Sequence, residues 1–129
     1  MTSSPTPAYA PVTPAIVDAV RAIVGPKQVV TDEEKLQAYS HDETNAEEYG
    51  RMPELVVFPT STEQVAAVVR LANRERIPIT PRGAGSGLSG GAIPQFGGIV
   101  ISLEKMNRLI ELDTANMTVT VEAGMVTND

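Results

Sequence analysis

The chain has 129 residues, of which 42% are hydrophobic and 20% charged, and its formal net charge is −6. These values are typical of one globular domain with a modest core, and the acidic balance argues against a nucleic-acid partner, because binding to phosphates requires a basic surface. There is no cysteine and only one histidine, His41, which excludes disulfides and thiolate metal sites and argues against a histidine-based metal centre or catalytic triad.

Residues 1–12 are rich in Pro, Ser, Thr and Ala, and we expect them to form a disordered tail. Residues 13–52 are expected to be an N-terminal helical segment followed by a loop. Its first helix begins at Thr13-Pro14, an N-cap followed by proline, and ends at Gly25-Pro26. A second helix is predicted over about 33–39. No basic region precedes an apolar core and no run reaches transmembrane length, so we expect a cytoplasmic protein without a signal peptide.

The stretch from Ser40 to Met52 is polar and irregular, which is typical of a surface loop. His41 lies in it, and a lone loop histidine is usually a solvated side chain rather than a catalytic base. The acids around Glu43, Glu47 and Glu48 are interpreted as a solvated face and not as metal ligands.

A strand–helix–strand unit follows. Leu55–Phe58 is a continuous apolar run, typical of a strand covered on both faces. Ser61 and Gln64 predict a capping box at the start of a helix, and Ile77–Thr80 predicts the next strand. The two strands of such a βαβ unit are parallel. The predicted buried stripe of the helix consists of Val65, Val68, Val69 and Ala72.

Beyond residue 98 the pattern becomes strand, turn and hairpin. Residues 98–103 predict a strand, and residues 104–107 one helical turn. Leu109–Leu112 and Met117–Ala123 flank a short polar connection, which predicts an antiparallel hairpin. The residues that alternate on its expected inward face are Met117, Val119, Val121 and Ala123. Residues 126–129 resemble the approach to another helix.

Between these units lies Pro81–Gly91, in which five of eleven residues are glycine. Glycine allows positive φ and close ligand approach, and consecutive N–H groups in such a loop can converge on an anion. A flexible linker is the alternative, but linkers rarely separate two apolar strands directly. A phosphate-binding P-loop is excluded, because it requires a lysine and none lies between Lys35 and Lys105.

The spacing of the dinucleotide fingerprint G-x-G-x-x-G does occur at Gly85, Gly87 and Gly90, with Asp113 at about the position of a ribose-binding acid. That fingerprint needs a helix to open at the glycines. The glycines and proline of residues 91–98 are incompatible with such a helix. The loop is therefore expected to bind an anion with its own amides.

Four stretches resemble the FAD-linked oxidases of the vanillyl-alcohol oxidase and p-cresol methylhydroxylase type, and within that group the glycolate oxidase FAD subunit and D-lactate dehydrogenase branch. They are Tyr39–Asp42, Pro53–Val65, Pro81–Gly91 and Val121–Gly124. The resemblance covers roughly residues 35–129. It implies an α+β fold, a βαβ unit plus an antiparallel hairpin, which would be the first subdomain of a two-part FAD-binding domain over residues 53–129. The resemblance also implies a second FAD-binding subdomain and a cap domain, which we expect to lie outside these residues.

The resemblance also implies the cofactor contacts, through a loop that wraps the FAD pyrophosphate with amides. The implied cofactor-binding residues are Pro59, Arg82, Gly83, Ala84, Gly85, Ser86, Gly87, Leu88, Ser89 and Gly90. Because this loop contains no histidine and the chain no cysteine, we expect non-covalent FAD. No catalytic or metal-binding residue is assigned within the chain.

The function implied is hydride transfer from a small 2-hydroxy acid, of the glycolate or D-lactate type, to FAD in a longer parent enzyme, with these 129 residues inactive alone. The alternatives are an FAD-linked oxidase of another substrate class, such as an alcohol or an aldonolactone, and a non-catalytic nucleotide- or phosphate-binding module. The role of Asp42 and the oligomeric state are left open.

Overall fold

The computed structural model describes residues 8–126. Residues 1–7 of the tail predicted over residues 1–12, and the helix expected near the end of the chain, lie outside the described residues. The disorder predicted for residues 8–12 is wrong, because Ala10 and Val12 pack against the core and Ala10 N donates to Arg76 O at 2.9 Å. The helices are α1 (Pro14–Val24), α2 (Glu33–Leu36), α3 (Ala46–Tyr49) and α4 (Thr62–Glu75). The strands are β1 (Val29–Val30), β2 (Leu55–Val57), β3 (Ile79–Arg82), β4 (Ile99–Ser102), β5 (Leu109–Asp113) and β6 (Thr118–Val121). The α+β prediction is confirmed.

Four strands form one sheet in the order β1-β2-β4-β3, and β5 and β6 form a separate hairpin. Strands β2, β4 and β3 are parallel, whereas β1 runs antiparallel to β2. The strands of the βαβ unit are therefore parallel as predicted, but β4 lies between them, with Val100 level with Val56 on one side and Thr80 on the other. The carboxyl ends of three strands consequently share one edge.

Helices α1 and α4 pack on one face of the sheet, where Leu55, Val57, Ile99 and Ile101 are buried against them. The alternate residues Val56 and Val100 are buried on the other face with Leu36 and Phe58. Strands β2 and β4 are thus covered on both faces, as their continuous apolar runs predicted.

Helix α4 begins at its predicted cap, where Ser61 Oγ accepts from Gln64 N at 3.2 Å. In a capping box the side chain of Gln64 would accept from the backbone N–H of Ser61. Here Gln64 Oε1 accepts from Thr60 N, one residue earlier in the chain. The predicted stripe is partly wrong, since Val69 is 43% exposed while Leu71 is buried. The buried face is centred on Val68, Leu71 and Ala72, which are spaced i, i+3 and i+4.

Strand β3 begins two residues later than the sequence predicted. Arg76 ends α4 in the left-handed conformation, with φ of 58°, and Ile77 N still donates to Ala72 O at 2.9 Å. Ile77 therefore belongs to the helix cap and not to the strand. The helical turn predicted over 104–107 is also wrong, because the segment makes only a tight turn in which Met106 N donates to Leu103 O.

The β5–β6 hairpin has the predicted antiparallel pairing, but its expected inward face is wrong. Met117 is 92% exposed, Val119 56% and Val121 39%, and Ala123 is exposed as well. Met117 lies in the turn, with φ of 54°. Alternation along a strand identifies two faces, yet among residues 8–126 neither face of the hairpin is covered. Asp113 caps the hairpin turn, where its Oδ1 accepts from Asn116 N.

Candidate functional site

The glycine loop leaves the carboxyl end of β3 and contains bends and turns but no helix up to β4, as predicted. None of the seven consecutive backbone N–H groups from Gly83 to Ser89 donates to an acceptor within residues 8–126. Between Gly83 and Ser89 the loop is exposed apart from the half-buried Gly85. A run of exposed backbone donors, at the edge where parallel strands end, is suited to bind an anion.

The conformations of the loop glycines differ from one another. Gly85 and Gly90 have φ of +72° and +78°, in the left-handed region that favours glycine. A Cβ on Gly85 would lie 2.8 Å from Nε of Arg82 and closer still to the other guanidinium atoms. Gly87 has neither a positive φ nor any atom within 4 Å of its Cβ position. The positive φ that glycine allows is therefore used at Gly85 and Gly90 and not at Gly87.

Arg82 ends β3 and is 9% exposed. Its Nη1 donates to His41 O at 2.7 Å, its Nη2 donates to Ala38 O at 3.4 Å, and its guanidinium lies 5.4 Å from the centre of the Tyr39 ring. The guanidinium thus connects the sheet edge to residues 38–41. Its planar fork of donors is directed at backbone carbonyls.

Asp42 is the buried carboxylate of the site, only 5% exposed. Its Oδ1 accepts from Thr44 N at 2.8 Å and Thr44 Oγ1 at 2.5 Å, and its Oδ2 accepts from Gly90 N at 3.0 Å. The hydroxyl of Thr44 is the main cause that lowers the pKa of Asp42, followed by the amides of Thr44 and Gly90. The carboxylate is therefore ionised at neutral pH and holds one end of the glycine loop.

Residues 38–44 lie far from the loop in sequence and directly against it in space. Besides the contacts of Arg82 and Asp42, Glu43 N donates to Gly87 O at 3.1 Å. His41 is half-buried, and its Nδ1 lies 3.2 Å from Ser40 Oγ. The hydrogen bond from Arg82 goes to the backbone carbonyl of His41 and not to its ring. Sequence reasoning treated this stretch as a solvated loop, although the Tyr39–Asp42 motif was a signal that could have identified it.

The same stretch contains a helix that the sequence analysis missed. Helix α3 is a single turn capped by Asn45, whose Oδ1 accepts from Glu47 N at 3.0 Å. Asn45 and Asp42 both accept from the amide two residues ahead, a local pattern that favours short turns in polar segments. Glu47 and Glu48 lie in its first turn, where acids favour a helix N-terminus.

Two clefts are lined by residues between Gly83 and Gly90 of the glycine loop. The larger, of about 590 Å³, lies between the start of the loop and the chain after β6; it is lined by Ala38, Tyr39, Arg82, Gly83, Ala84, Ser86, Glu104 and residues 123–126. The smaller, of about 430 Å³, is lined by Thr44, Tyr49, Arg51, Leu88, Ser89, Gly90, Ile93 and Gln95. Successive loop residues thus line different clefts.

The wall of the larger cleft contains a phenol–carboxylate pair. Tyr39 Oη donates to Glu104 Oε1 at 3.3 Å, and burial, followed by the negative charge of Glu104, raises the pKa of Tyr39. Gly124 closes the wall, because a Cβ there would overlap Leu103 O. This close approach accounts for the glycine in the Val121–Gly124 motif.

Two buried residues lie at the strand ends beside the loop. Pro59, an implied cofactor contact, is fully buried two residues after β2. Ser102 ends β4 level with Arg82 and is also fully buried. Its Oγ has no hydrogen-bond partner within residues 8–126.

Residues 8–126 contain neither a group of metal-ligating side chains nor a helix that could span a membrane. Within that range no three His, Asp or Glu side chains are grouped closely enough to ligate a metal ion. No described helix has the length and apolar character needed to cross a bilayer. The glycine loop, with its exposed amides and adjoining clefts, is the candidate site.

Comparison with protein families matches residues 53–129 to a family described as "FAD binding domain". A D-lactate dehydrogenase of Anaerostipes hadrus is 43% identical over 122 residues, which cover 94% of this chain and 25% of the relative. A D-2-hydroxyglutarate dehydrogenase of Stutzerimonas stutzeri is 37% identical over 114 residues, covering 88% of the chain and 24% of the relative. A glycolate oxidase subunit GlcD of Bacillus subtilis is 32% identical over 118 residues, covering 92% and 25%.

Solved structures give the same fold. A p-cresol methylhydroxylase with substrate bound superposes with a TM-score of 0.74 at 31% identity, covering 84% of this chain and 22% of its own. An alkyldihydroxyacetonephosphate synthase superposes with a TM-score of 0.79 at 24% identity, covering 93% and 24%, a likeness of fold alone. The chain spans about a quarter of the length of the curated relatives it matches.

Proposed function

Because the chain belongs to the FAD binding domain family, we propose that it holds the pyrophosphate of FAD on the backbone amides of Gly83 to Ser89, as part of a flavin-dependent 2-hydroxy-acid dehydrogenase or oxidase. The observation that carries this proposal is the run of seven N–H groups without a described protein acceptor. Diphosphate oxygens are strong acceptors, and the loop presents donors without needing a lysine.

The energetics of an amide cradle are sufficient. A hydrogen bond to a charged group contributes roughly 1.5–3 kcal/mol, so three or four convergent amides would hold a pyrophosphate despite the net charge of −6. The two clefts of about 590 and 430 Å³ leave room on either side for the remainder of an extended dinucleotide. Arg82 and the amide of Gly90 already bond to residues 38–42, so we assign them to shaping the loop.

The proposed activity rests on the relatives named above, which are dehydrogenases and an oxidase of 2-hydroxy acids. The flavin supplies the hydride acceptor, and the protein positions it. Within this chain the residues bind and orient the cofactor. We place the groups that take the hydroxyl proton and grip the substrate carboxylate outside these 129 residues, in a second FAD-binding subdomain and a cap domain of a longer protein.

We also propose that FAD is held without a covalent bond. The loop offers no histidine and the chain no cysteine for a link to the flavin. Acid precipitation of the flavin-loaded protein should release FAD into the supernatant. Flavin that stays in the pellet, attached to a peptide of residues 1–129, would contradict the proposal.

We propose a cytoplasmic location; the chain has no cysteine and so needs no oxidising compartment to form disulfides. Cell fractionation should place the protein with cytoplasmic markers. Recovery in the membrane or extracellular fraction would contradict it.

The test of the proposed function uses the complete gene product that contains this chain. It should purify with a flavin absorption spectrum, and D-lactate, glycolate or D-2-hydroxyglutarate should bleach that spectrum in the absence of an electron acceptor. Bleaching by an alcohol or an aldonolactone alone would indicate another oxidase class. A colourless protein that binds ADP but no flavin would indicate a nucleotide-binding module.

A further inference from the structure

We infer that Asp42 is a positioning residue that sets the ligand-binding conformation of the glycine loop, by holding the Gly90 amide while the amides of Gly83 to Ser89 stay free. This inference rests on the proposed function and deepens it. Asp42 would contact no cofactor atom itself. It would act through the backbone of the loop.

Three contacts attach the loop to residues 38–44 at separate positions along its length. Arg82 fixes the loop at its start by donating to His41 O. Glu43 N fixes it in the middle, at Gly87 O, and Asp42 Oδ2 fixes it at Gly90 N. The seven amides without an acceptor within residues 8–126 lie between the attachments at Arg82 and Gly90. These two attachments fix the ends of the segment that carries the amides.

Asp42 supplies the side-chain acceptor among these attachments. The contacts to His41 and Glu43 use backbone groups of residues 38–44, which most substitutions would preserve. The Asp42 carboxylate is itself oriented, because both the amide and the hydroxyl of Thr44 donate to its other oxygen. With Oδ1 fixed by Thr44, the orientation of Oδ2 is fixed as well, and Oδ2 accepts a hydrogen bond from Gly90 N.

The contact also holds Gly90 in one backbone conformation. Gly90 has φ of +78°, and a glycine in an unrestrained loop can adopt many other backbone conformations. A flexible loop visits binding-competent geometry for only a fraction of the time, and the apparent dissociation constant rises by the inverse of that fraction. A charge-assisted hydrogen bond at the end of the loop keeps that fraction high.

The charge of Asp42 also explains why the Gly90 amide donates to a protein group, whereas the amides of residues 83–89 have no acceptor within residues 8–126. An amide that donates to a carboxylate is not available to a phosphate, and a carboxylate next to a phosphate would repel it. Asp42 therefore takes the amide at the end of the loop and is itself buried, with 5% exposure. The cradle would end at Ser89.

The experiment measures ligand affinity in the complete gene product with the flavin removed. Asp42→Asn keeps the shape but puts an NH₂ group against either Gly90 N–H or the Thr44 donors. We expect it to bind both FAD and ADP about tenfold more weakly, about 1.4 kcal/mol. Affinity for riboflavin, which carries no phosphate, should be the same in both proteins, whereas a merely structural defect would weaken all three ligands together.

The matched control is Asp32→Asn, the same chemical change at the exposed cap of α2, where Asp32 accepts from Glu34 N at 3.0 Å. Asparagine caps a helix as well as aspartate does, so this variant should bind FAD and ADP like the wild type. Equal weakening by both substitutions would show a general charge effect and overturn the inference.

If Asp42→Asn does not fold, hydrogen exchange of the wild-type protein without ligand still tests the contact. The Gly90 amide should exchange at least about tenfold more slowly than those of Gly87 and Ser89, after correction for sequence. Exchange at the same rate would overturn the inference.

The outcomes distinguish a failure of the proposed function from a failure of the role inferred for Asp42. Wild-type protein that binds neither FAD nor ADP would overturn the proposed function and this inference with it. Wild-type protein that binds both, while Asp42→Asn binds them equally well, would overturn this inference and leave the proposed function standing.

Discussion

Gly85→Ala is the substitution whose effect follows most directly from the geometry of the loop. Alanine at φ of +72° costs about 1–2 kcal/mol. Its methyl group would also displace the Arg82 guanidinium, which then loses its 2.7 Å bond to His41 O, a charged hydrogen bond of roughly 1.5–3 kcal/mol. The two terms predict that the free energy of unfolding falls by about 2.5–5 kcal/mol.

Gly87→Ala is the matched control, because it adds the same methyl group two residues away without positive φ and without any atom within 4 Å. It should change the free energy of unfolding by less than about 0.5 kcal/mol. Urea unfolding followed by circular dichroism measures both variants. A loss of the predicted size is a large share of the stability of a small domain, so Gly85→Ala is expected to be partly unfolded at low urea.

A double-mutant cycle isolates the contribution of Arg82. In an Arg82→Ala background, Gly85→Ala should cost only the backbone term of about 1–2 kcal/mol. Equal costs of Gly85→Ala in both backgrounds would show that the guanidinium is not displaced. Equal stability of Gly85→Ala and Gly87→Ala would refute the whole description of the loop.

Three further predictions concern the sheet, the hairpin and activity. Gly98→Ala should destabilise more than Gly97→Ala in urea unfolding, because both have φ above +70° but only a Cβ on Gly98 overlaps the backbone at Pro78 O; equal losses would contradict this. Hydrogen bonds from Arg108 lower the pKa of Glu122, so its stabilising effect is complete above the ordinary pKa of about 4.3 and is lost as pH falls through the lower folded pKa. Glu122→Gln should therefore flatten the acid limb of the stability profile, and an unchanged limb would rule out the ion pair. The 129-residue chain mixed with excess FAD, D-lactate or glycolate and a dye acceptor should not reduce the dye, and protein-dependent bleaching would show a complete enzyme.

The parts of the fold that the sequence predicted are those fixed by local patterns. Continuous apolar runs identified β2 and β4, and Ser61 marked the start of α4. The start of β3 was missed because Ile77 bonds back to Ala72 in the helix cap, a contact that depends on the left-handed conformation of Arg76. No local pattern distinguishes an apolar residue in a cap from one in a strand.

The anion-binding character of the loop was predictable from its glycines, but its supports were not. The bond between Asp42 and Gly90 joins residues 48 positions apart, and the polar composition of the stretch around Asp42 does not indicate that this side chain is buried. Periodicity likewise predicted the β5–β6 hairpin and could not say whether Val119 and Val121 would be covered. Burial depends on the layers that pack on an element, which a single strand does not specify.

The exposed β5–β6 hairpin has a practical consequence for work on the 129-residue chain. Both strands are edges of a two-stranded sheet, and Leu109, Ile110, Leu112 and Val119 are all more than half exposed. An apolar strand with unpaired backbone groups is a template for pairing with another molecule. We expect the isolated chain to self-associate as its concentration rises, with intermolecular strand pairing visible in the amide I infrared band. A charged residue in place of Ile110, on an edge that carries no part of the glycine loop, should keep the chain monomeric at the concentrations that ligand titrations require.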